Sequence, residues 1–244
     1  MIQILATADI HSPRYIELFF RSIKEISTDP DVIILAGDLV ERNTVTALKP
    51  VYNYITKTFP STPVVSIFGN EEYRGFEEEY IKRYDQFTWL NDSYTIIEIH
   101  GKKIGIVGTR GALDKPTTWQ LRNIPQISEY YRELPAKIAK LVAKLKSQGT
   151  DAILLVSHYG VTYRNLEGEP RRIWMHLASR GFEELIKSGI IDLVIHGHVH
   201  KGRIERVMVG SAPVYNVSLP ARSRIVNIEF IIESKEKTGI YKWL

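Results

Sequence analysis

Cysteine is absent from the 244 residues. Disulfides, thiolate nucleophiles and cysteine-ligated zinc are therefore excluded, and any metal must be held by His, Asp, Glu, Asn or water. No apolar run approaches the roughly 18 residues that a membrane-spanning helix needs, so no membrane partner is expected. The opening Met1-Ile2-Gln3-Ile4-Leu5 lacks the charged start and long apolar core of a secretory leader. A soluble, cytoplasmic protein is the expectation. An excess of one charge is missing too: 32 Lys and Arg are mixed with 28 Asp and Glu, for a formal charge of +4. That suits an anionic substrate; nucleic acid is a possible partner but not the favoured one. Repeats, low-complexity tracts and linkers are also lacking. Residues 1–244 thus read as one domain, long enough to bury a sizeable core. Oligomeric state is left open.

What is present centres on Val194-Ile195-His196-Gly197-His198-Val199-His200, which holds three of the seven histidines. It directly follows the apolar run Ile190 to Ile195, which reads as a buried strand. Side chains at i and i+2 of an extended segment share a side. His198 and His200 therefore point into one site, just past a strand's carboxyl end, where open α/β sheets bind ligands.

The same arrangement recurs along the chain. Ile2–Thr7 reads as a strand ending at Asp9-Ile10-His11, with Ser12-Pro13 opening a helix through Ile16, Phe19, Phe20, Ile23 and Ile26. Val32–Leu35 ends at Gly37-Asp38, and a helix carrying Leu48, Val51, Ile55 and Phe59 follows. Val64–Phe68 ends at Gly69-Asn70-Glu71-Glu72. Phe76–Phe87 reads as a helix, 96–107 as a hairpin about His100-Gly101-Lys102, and 109–126 as a long loop. A helix carrying Leu134, Ile138, Leu141, Val142 and Leu145 precedes the strand Ala152–Val156, which runs into Ser157-His158. A polar loop over 161–172 and a helix near 182–187 come next. After His200 only strands are expected: 204–209, 214–217, 225–232 and 239–243.

Asp9, His11, Asp38, Asn70, His158, His198 and His200 thus fall at strand ends. An Asp after a strand is ordinarily a cap or turn residue, and a lone buried histidine is ordinarily satisfied core. Independent turn residues would not all gather at the same end of successive strands. Nitrogen and oxygen donors without sulfur suit divalent Mn, Fe, Zn, Ni or Co. Seven donors are too many for one tetrahedral ion and suit two ions sharing a carboxylate.

Asp9-x-His11, Gly37-Asp38, Gly69-Asn70, His158 and Gly197-His198-Val199-His200, in that order, resemble the calcineurin-like metallophosphoesterases. The resemblance spans roughly residues 4 to 200. It implies an α/β fold: a four-layer α-β-β-α sandwich of two mixed β-sheets flanked by helices. It also implies two divalent ions, with Asp9, His11 and His200 on one, Asn70, His158 and His198 on the other, and Asp38 bridging. A hydroxide between the ions would attack phosphorus in line. Asp38, Asn70 and His198 would then stand closest to the chemistry.

Glu71 departs from the family's pattern, and Glu41 and Asn43, which flank a matching Arg42, depart from the Gly-Asp-x-x-Asp-Arg-Gly of protein Ser/Thr phosphatases. Glu71 stands where much of the family has a histidine that serves the leaving oxygen. A carboxylate near two cations stays ionised and makes a poor proton donor. Diesters with acidic leaving groups, which need protonation least, are therefore the expected substrates. Arg42, in Gly37-Asp38-Leu39-Val40-Glu41-Arg42-Asn43, is a candidate phosphate contact. A phosphomonoesterase or nucleotide hydrolase is the enzymatic alternative, and a scaffold that keeps the fold without turnover is the alternative from another class. Loops 109–126 and 160–175 are expected to carry recognition. His196 is either a support to the site or core, Arg171-Arg172 are read as solvated loop in preference to phosphate contacts, and His100 and His176 are assigned no function.

Overall fold

Strands that are apolar at every position need cover on both faces. In the computed structural model, which describes residues 1–232, two sheets lie face to face with helices outside them. In chain order the elements are β1 (Ile2–Thr7), α1 (Ile16–Lys24), β2 (Val32–Ala36), α2 (Lys49–Thr58), β3 (Val64–Ile67), α3 (Glu77–Arg83), β4 (Phe87–Leu90), β5 (Ser93–Ile99) and β6 (Lys102–Thr109). Then come α4 (Thr118–Asn123), α5 (Ile127–Ser147), β7 (Ala152–Ser157), α6 (Gly181–Lys187), β8 (Leu193–His196), β9 (Arg206–Val209), β10 (Ala212–Asn216), α7 (Leu219–Arg222) and β11 (Val226–Phe230).

One sheet runs β11-β1-β2-β3-β4 and the other β5-β6-β7-β8-β10-β9. β1 to β4 are mutually parallel, with β11 antiparallel on the edge. β6, β7, β8 and β10 are likewise parallel, with β5 and β9 antiparallel at the two margins. Both sheets are therefore mixed.

The two-residue alternation of strand side chains builds the layers. Ile4, Ala6, Ile34 and Val65 of the first sheet meet Ile106, Leu154, Val156 and Ile195 of the second. The intervening Leu5, Ile33 and Leu35 pack beneath Phe19, Leu48, Val51, Ile55 and Tyr80 of the outer helical segments. On the far side Ile153, Leu155 and Val194 pack beneath Ile138, Val142 and Leu145 of α5 and Phe182 of α6. This is the helix–sheet–sheet–helix sandwich, and each such buried Val, Leu or Ile contributes about 1.5–3 kcal/mol of transfer free energy.

Several local expectations change. The helix expected to reach Phe87 stops at Arg83, and Phe87 opens β4, which pairs with β3. The expected loop 109–126 contains α4, entered through a capping box in which Thr117 and Gln120 bond reciprocally. α5 begins at Ile127 and carries Pro135 inside it. The buried stripe Tyr131, Leu134, Ile138, Val142 and Leu145 holds it helical despite the missing N–H. Ser12 caps no helix; its hydroxyl donates to the Ala47 carbonyl at 2.7 Å. α7 interrupts what was expected to be strands only, and the expected strand 239–243 lies outside the described residues. Among the described residues no helix is long and apolar enough to cross a membrane.

Candidate metal centre

Parallel strands end on one edge of a sheet, and here the two sheets present that edge side by side. The segments after β1, β2 and β3 supply Asp9, His11, Asp38 and Asn70; those after β7 and β8 supply His158, His198 and His200. Two groups result. Donor atoms of Asp9, His11 and His200 lie within 4.8 Å of one another, and so do those of Asp38, His158 and His198. Asn70 joins the second group, its Oδ1 lying 3.2 Å from His158 Nε2. Asp38 Oδ2 faces both groups, 3.4 Å from His158 Nε2 and 3.7 Å from His11 Nε2.

The turns that deliver these side chains are conformationally demanding. Asp9, His11, Asp38 and His198 all have positive φ, between 41° and 67°, a region that non-glycine residues rarely occupy and that costs on the order of 1–3 kcal/mol each. Such outliers concentrate where function holds them in place. The glycines beside them leave no alternative. A Cβ on Gly69 would run into Asp38 Oδ1, and one on Gly197 would meet Ala8 Cβ at 2.5 Å. Along the edge of the first sheet Asp9 N–H donates to the Gly37 carbonyl at 2.9 Å, and along the edge of the second Gly197 N–H donates to the His158 carbonyl at 3.1 Å.

Two buried carboxylates set among four imidazoles govern the electrostatics of the site. Asp9 and Asp38 are completely or almost completely buried. Burial alone would raise both carboxyls, but His200 beside Asp9 and His158 beside Asp38 hold them below the usual carboxylate range. Burial draws the His158 imidazole down, yet Asp38 outweighs it and pushes the group up to about 9. His200 is likewise raised against burial, by Asp9. His198 is pushed down to about 3, first by burial and then by the charge on His158.

Divalent cations fit this donor set. Asp9 Oδ1, His11 Nε2 and His200 Nε2 are buried and complete no hydrogen bond, although His200 Nε2 lies 3.3 Å from Asp9 Oδ1. Buried polar atoms left in this way are costly unless something absent from the polypeptide satisfies them. His158 Nδ1 donates to the Ala36 carbonyl at 3.0 Å, which fixes the tautomer and turns Nε2 toward Asp38 and Asn70.

The remaining candidates are sorted by their contacts. His196 is core: Nδ1–H donates to the Gly197 carbonyl at 2.9 Å, and Nε2 accepts from Asn165 Nδ2 at 2.7 Å. Burial pushes it down to about 4, so it stays neutral. His100 pairs with Asp31. Glu71 turns its Oε2 to the Arg42 backbone N–H at 2.6 Å, while its own N–H donates to Asp38 Oδ1 at 2.8 Å. Arg42 is exposed and does not line the cavity described below.

Three supporting residues went unremarked in the sequence. Glu72 is fully buried, and its carboxylate accepts the backbone N–H groups of Asp38, Leu39, Val40 and Gly69. Burial and the nearby Asp38 push it up to about 7, while those N–H groups pull the other way. Arg110 is also buried and donates to the Gly69 and Glu72 carbonyls and to Glu77 Oε1. Tyr159 packs edge-on against His198, ring centres 4.7 Å apart. Only Glu72 had a visible signal, as an acidic residue two places after Asn70.

A cavity of about 530 Å³ opens beside the centre, bordered by Asn70, His198, Arg74, Arg110, Trp119 and His176 among others. Within 110–124, Arg110, Leu113, Thr117, Trp119, Gln120, Asn123 and Ile124 border it; from 160–175 no residue does, and His176 lies just beyond. His176 thus borders the cavity, although nothing in its sequence context points to a function.

The fold and this cluster are those of a calcineurin-like phosphoesterase. A model of that family matches residues 2–202, and the chain belongs to it. Phosphopantetheinyl hydrolase (PptH) of Mycobacterium tuberculosis has a similar structure, with TM-score 0.64 and 14% identity, covering 92% of this chain and 95% of that one. A putative 5'-nucleotidase of Staphylococcus aureus gives TM-score 0.56 and 13% identity over 88% of this chain and 48% of that one. The NAD nucleotidase of Haemophilus influenzae gives 0.51 and 15% over 91% and 51%. The chain therefore spans about half the length of each nucleotidase, and at these identities the likeness is one of fold. No curated protein sequence matches significantly.

Proposed function

We propose that residues 1–244 form one domain, a cytoplasmic phosphodiesterase that works with two divalent metal ions. The observation that carries this reading is the placement of Asp38, whose Oδ2 lies within 3.7 Å of an imidazole of each donor group. Asp9, His11 and His200 would hold one ion and Asn70, His158 and His198 the other, with Asp38 shared. When bound, the pair would supply Lewis-acid charge for the phosphoryl oxygens and acidify water enough to attack phosphorus in line at neutral pH.

The chain's own residues do the positioning. Ala36 holds His158 through Nδ1, Glu72 fixes the backbone carrying Asp38, and the buried Tyr159 ring backs the half-buried His198 ring on one side of the centre. Asp38, Asn70 and His198 line the position the reacting phosphate would take. Glu71 is not a proton donor, because its carboxylate is committed to Arg42 N–H. A leaving group that departs as an anion suits such a site.

Charge also favours a diester. Arg110 is committed to the Gly69 and Glu72 carbonyls and to Glu77. Of the arginines bordering the cavity, Arg74 alone is not held by backbone carbonyls, and its guanidinium rests 4.7 Å over the Tyr130 ring; so little cationic charge suits one negative charge better than the two of a monoester. Manganese-loaded protein should hold two ions per chain. It should hydrolyse bis(p-nitrophenyl) phosphate with kcat/KM about tenfold or more above p-nitrophenyl phosphate. A preference for the monoester would replace the diesterase reading with a phosphomonoesterase or nucleotide hydrolase. No manganese-dependent turnover of either would leave a scaffold.

A further inference from the structure

Large aromatic side chains are usually covered in folded proteins. Three around one cavity are not: Trp119 is 61% exposed, Phe76 46% and Tyr73 42%. The cavity's volume, about 530 Å³, lies within the usual range for a small-molecule site, roughly 300–1,000 Å³. Leu113 and Ile124 add apolar wall.

Two of the polar side chains that border it keep an unused acceptor. His176 Nδ1–H donates to the Lys115 carbonyl at 2.8 Å, leaving Nε2 as an acceptor. Asn123 Nδ2 donates to the Trp119 carbonyl at 2.8 Å, leaving Oδ1. The bordering carboxylates are engaged, Glu71 with Arg42 N–H and Glu72 with four backbone N–H groups. Arg74 keeps its guanidinium 4.7 Å over the Tyr130 ring.

Trp119 is held in register with the metal centre. It lies on α4, fixed by the Thr117–Gln120 capping box. Gln120, the next residue, donates through Nε2 to the Tyr159 hydroxyl at 3.0 Å, and the Tyr159 ring packs edge-on against His198. A phosphate at Asn70 and His198 would thus have a flat apolar platform at a set offset.

We propose that this cavity is a subsite for a planar, amino-bearing heteroaromatic group of nucleobase type, carried by the phosphoester and stacked on Trp119, with its N–H edge toward His176 and Asn123. The assignment rests on the phosphoesterase reading, since the cavity borders the residues that would meet phosphate. It explains why an indole is left uncovered, because stacking on an aromatic face stabilises any base while the wall's acceptors select an edge.

Adenosine, which carries no phosphate, isolates the subsite from the metal centre. Added to metal-free protein, it should quench tryptophan fluorescence saturably, and ribose should not. Equilibrium dialysis should find adenosine binding about tenfold weaker in Trp119→Leu and within about threefold of wild type in Trp119→Phe, which keeps a ring to stack on. Uridine, with no exocyclic amine, should bind more weakly than adenosine or cytidine. Because Trp119 is exposed, both variants should melt with the wild type. Unchanged adenosine binding in Trp119→Leu, or no saturable binding by wild type, overturns the proposal. Loss of the subsite with diester turnover intact leaves the phosphoesterase reading standing. Adenosine binding without manganese-dependent turnover does the reverse.

Discussion

The backbone N–H of His198 donates to Asp9 Oδ2 at 2.9 Å, joining residues 189 positions apart and binding one sheet's edge to the other's. The same carboxylate's Oδ1 completes no hydrogen bond and lies 3.3 Å from His200 Nε2. One oxygen thus builds the site while the other is left for a ligand.

Asp9→Asn separates these two tasks. Its amide oxygen can still accept from His198 N–H, but its charge is gone. The variant should fold and bind one manganese ion per chain instead of two by elemental analysis. Diester turnover should fall on the order of 10³-fold if both ions act on phosphorus. Two retained ions with full activity would sink the two-group assignment.

His158 makes the metal-free protein sensitive to pH. Its folded value, about 9, lies above its ordinary 6.5. Between those limits the folded state holds a proton the unfolded chain has lost. The associated stability is therefore fully present below 6.5 and lost as pH rises through 9, by on the order of 3 kcal/mol. Denaturant melts of metal-free protein should show that decline, and His158→Asn should flatten it. Manganese binding should release a proton in the same window, because coordination requires neutral imidazole.

Glu71 and Glu72 are adjacent and chemically alike, yet their substitutions should differ. Glu72→Gln places an NH₂ group among four backbone donors and should cost about 1–3 kcal/mol in urea unfolding. Glu71→Gln sits near solvent and should stay within about 0.5 kcal/mol. Glu71→His should raise turnover about tenfold on an alkyl diester, whose leaving group needs a proton, and less on a nitrophenyl diester. Equal gains on both would show that protonation is not what the site lacks.

The strands and the candidate metal donors were legible because both follow short-range rules. β1, β2, β3 and β7 are buried on both faces at almost every position, so each appears as a short, mostly apolar run with its donor just past the end. What escaped notice depends on partners distant in sequence. β4 has only four residues and exists because β3 offers it an edge. Arg110 looks like any loop arginine until Gly69 and Glu72 are placed 41 and 38 residues away. The positive φ angles of Asp9, His11, Asp38 and His198 leave no trace in residue type, since each position needs its donor more than it needs glycine. His176 was passed over as a lone histidine, and only the folded loop brings it to the cavity.

Arg110 should therefore affect metal binding without touching metal. Its guanidinium fork holds the carbonyls on either side of Asn70 and reaches Glu77 at 2.8 Å, so the amide of Asn70 is offered at a fixed angle. Lysine keeps the charge but has no planar fork and cannot span three acceptors in one plane. Groups that orient a ligand typically alter metal affinity about 10- to 100-fold when removed. Arg110→Lys should accordingly weaken manganese at the group containing Asn70 by about tenfold, in a competition titration that resolves two sites, and leave the other site near its original affinity. The loop would also loosen, so amide exchange at Gly69 to Glu72 should quicken while that of β7 does not. Equal weakening at both sites would mean that Arg110 supports the fold as a whole rather than the position of Asn70.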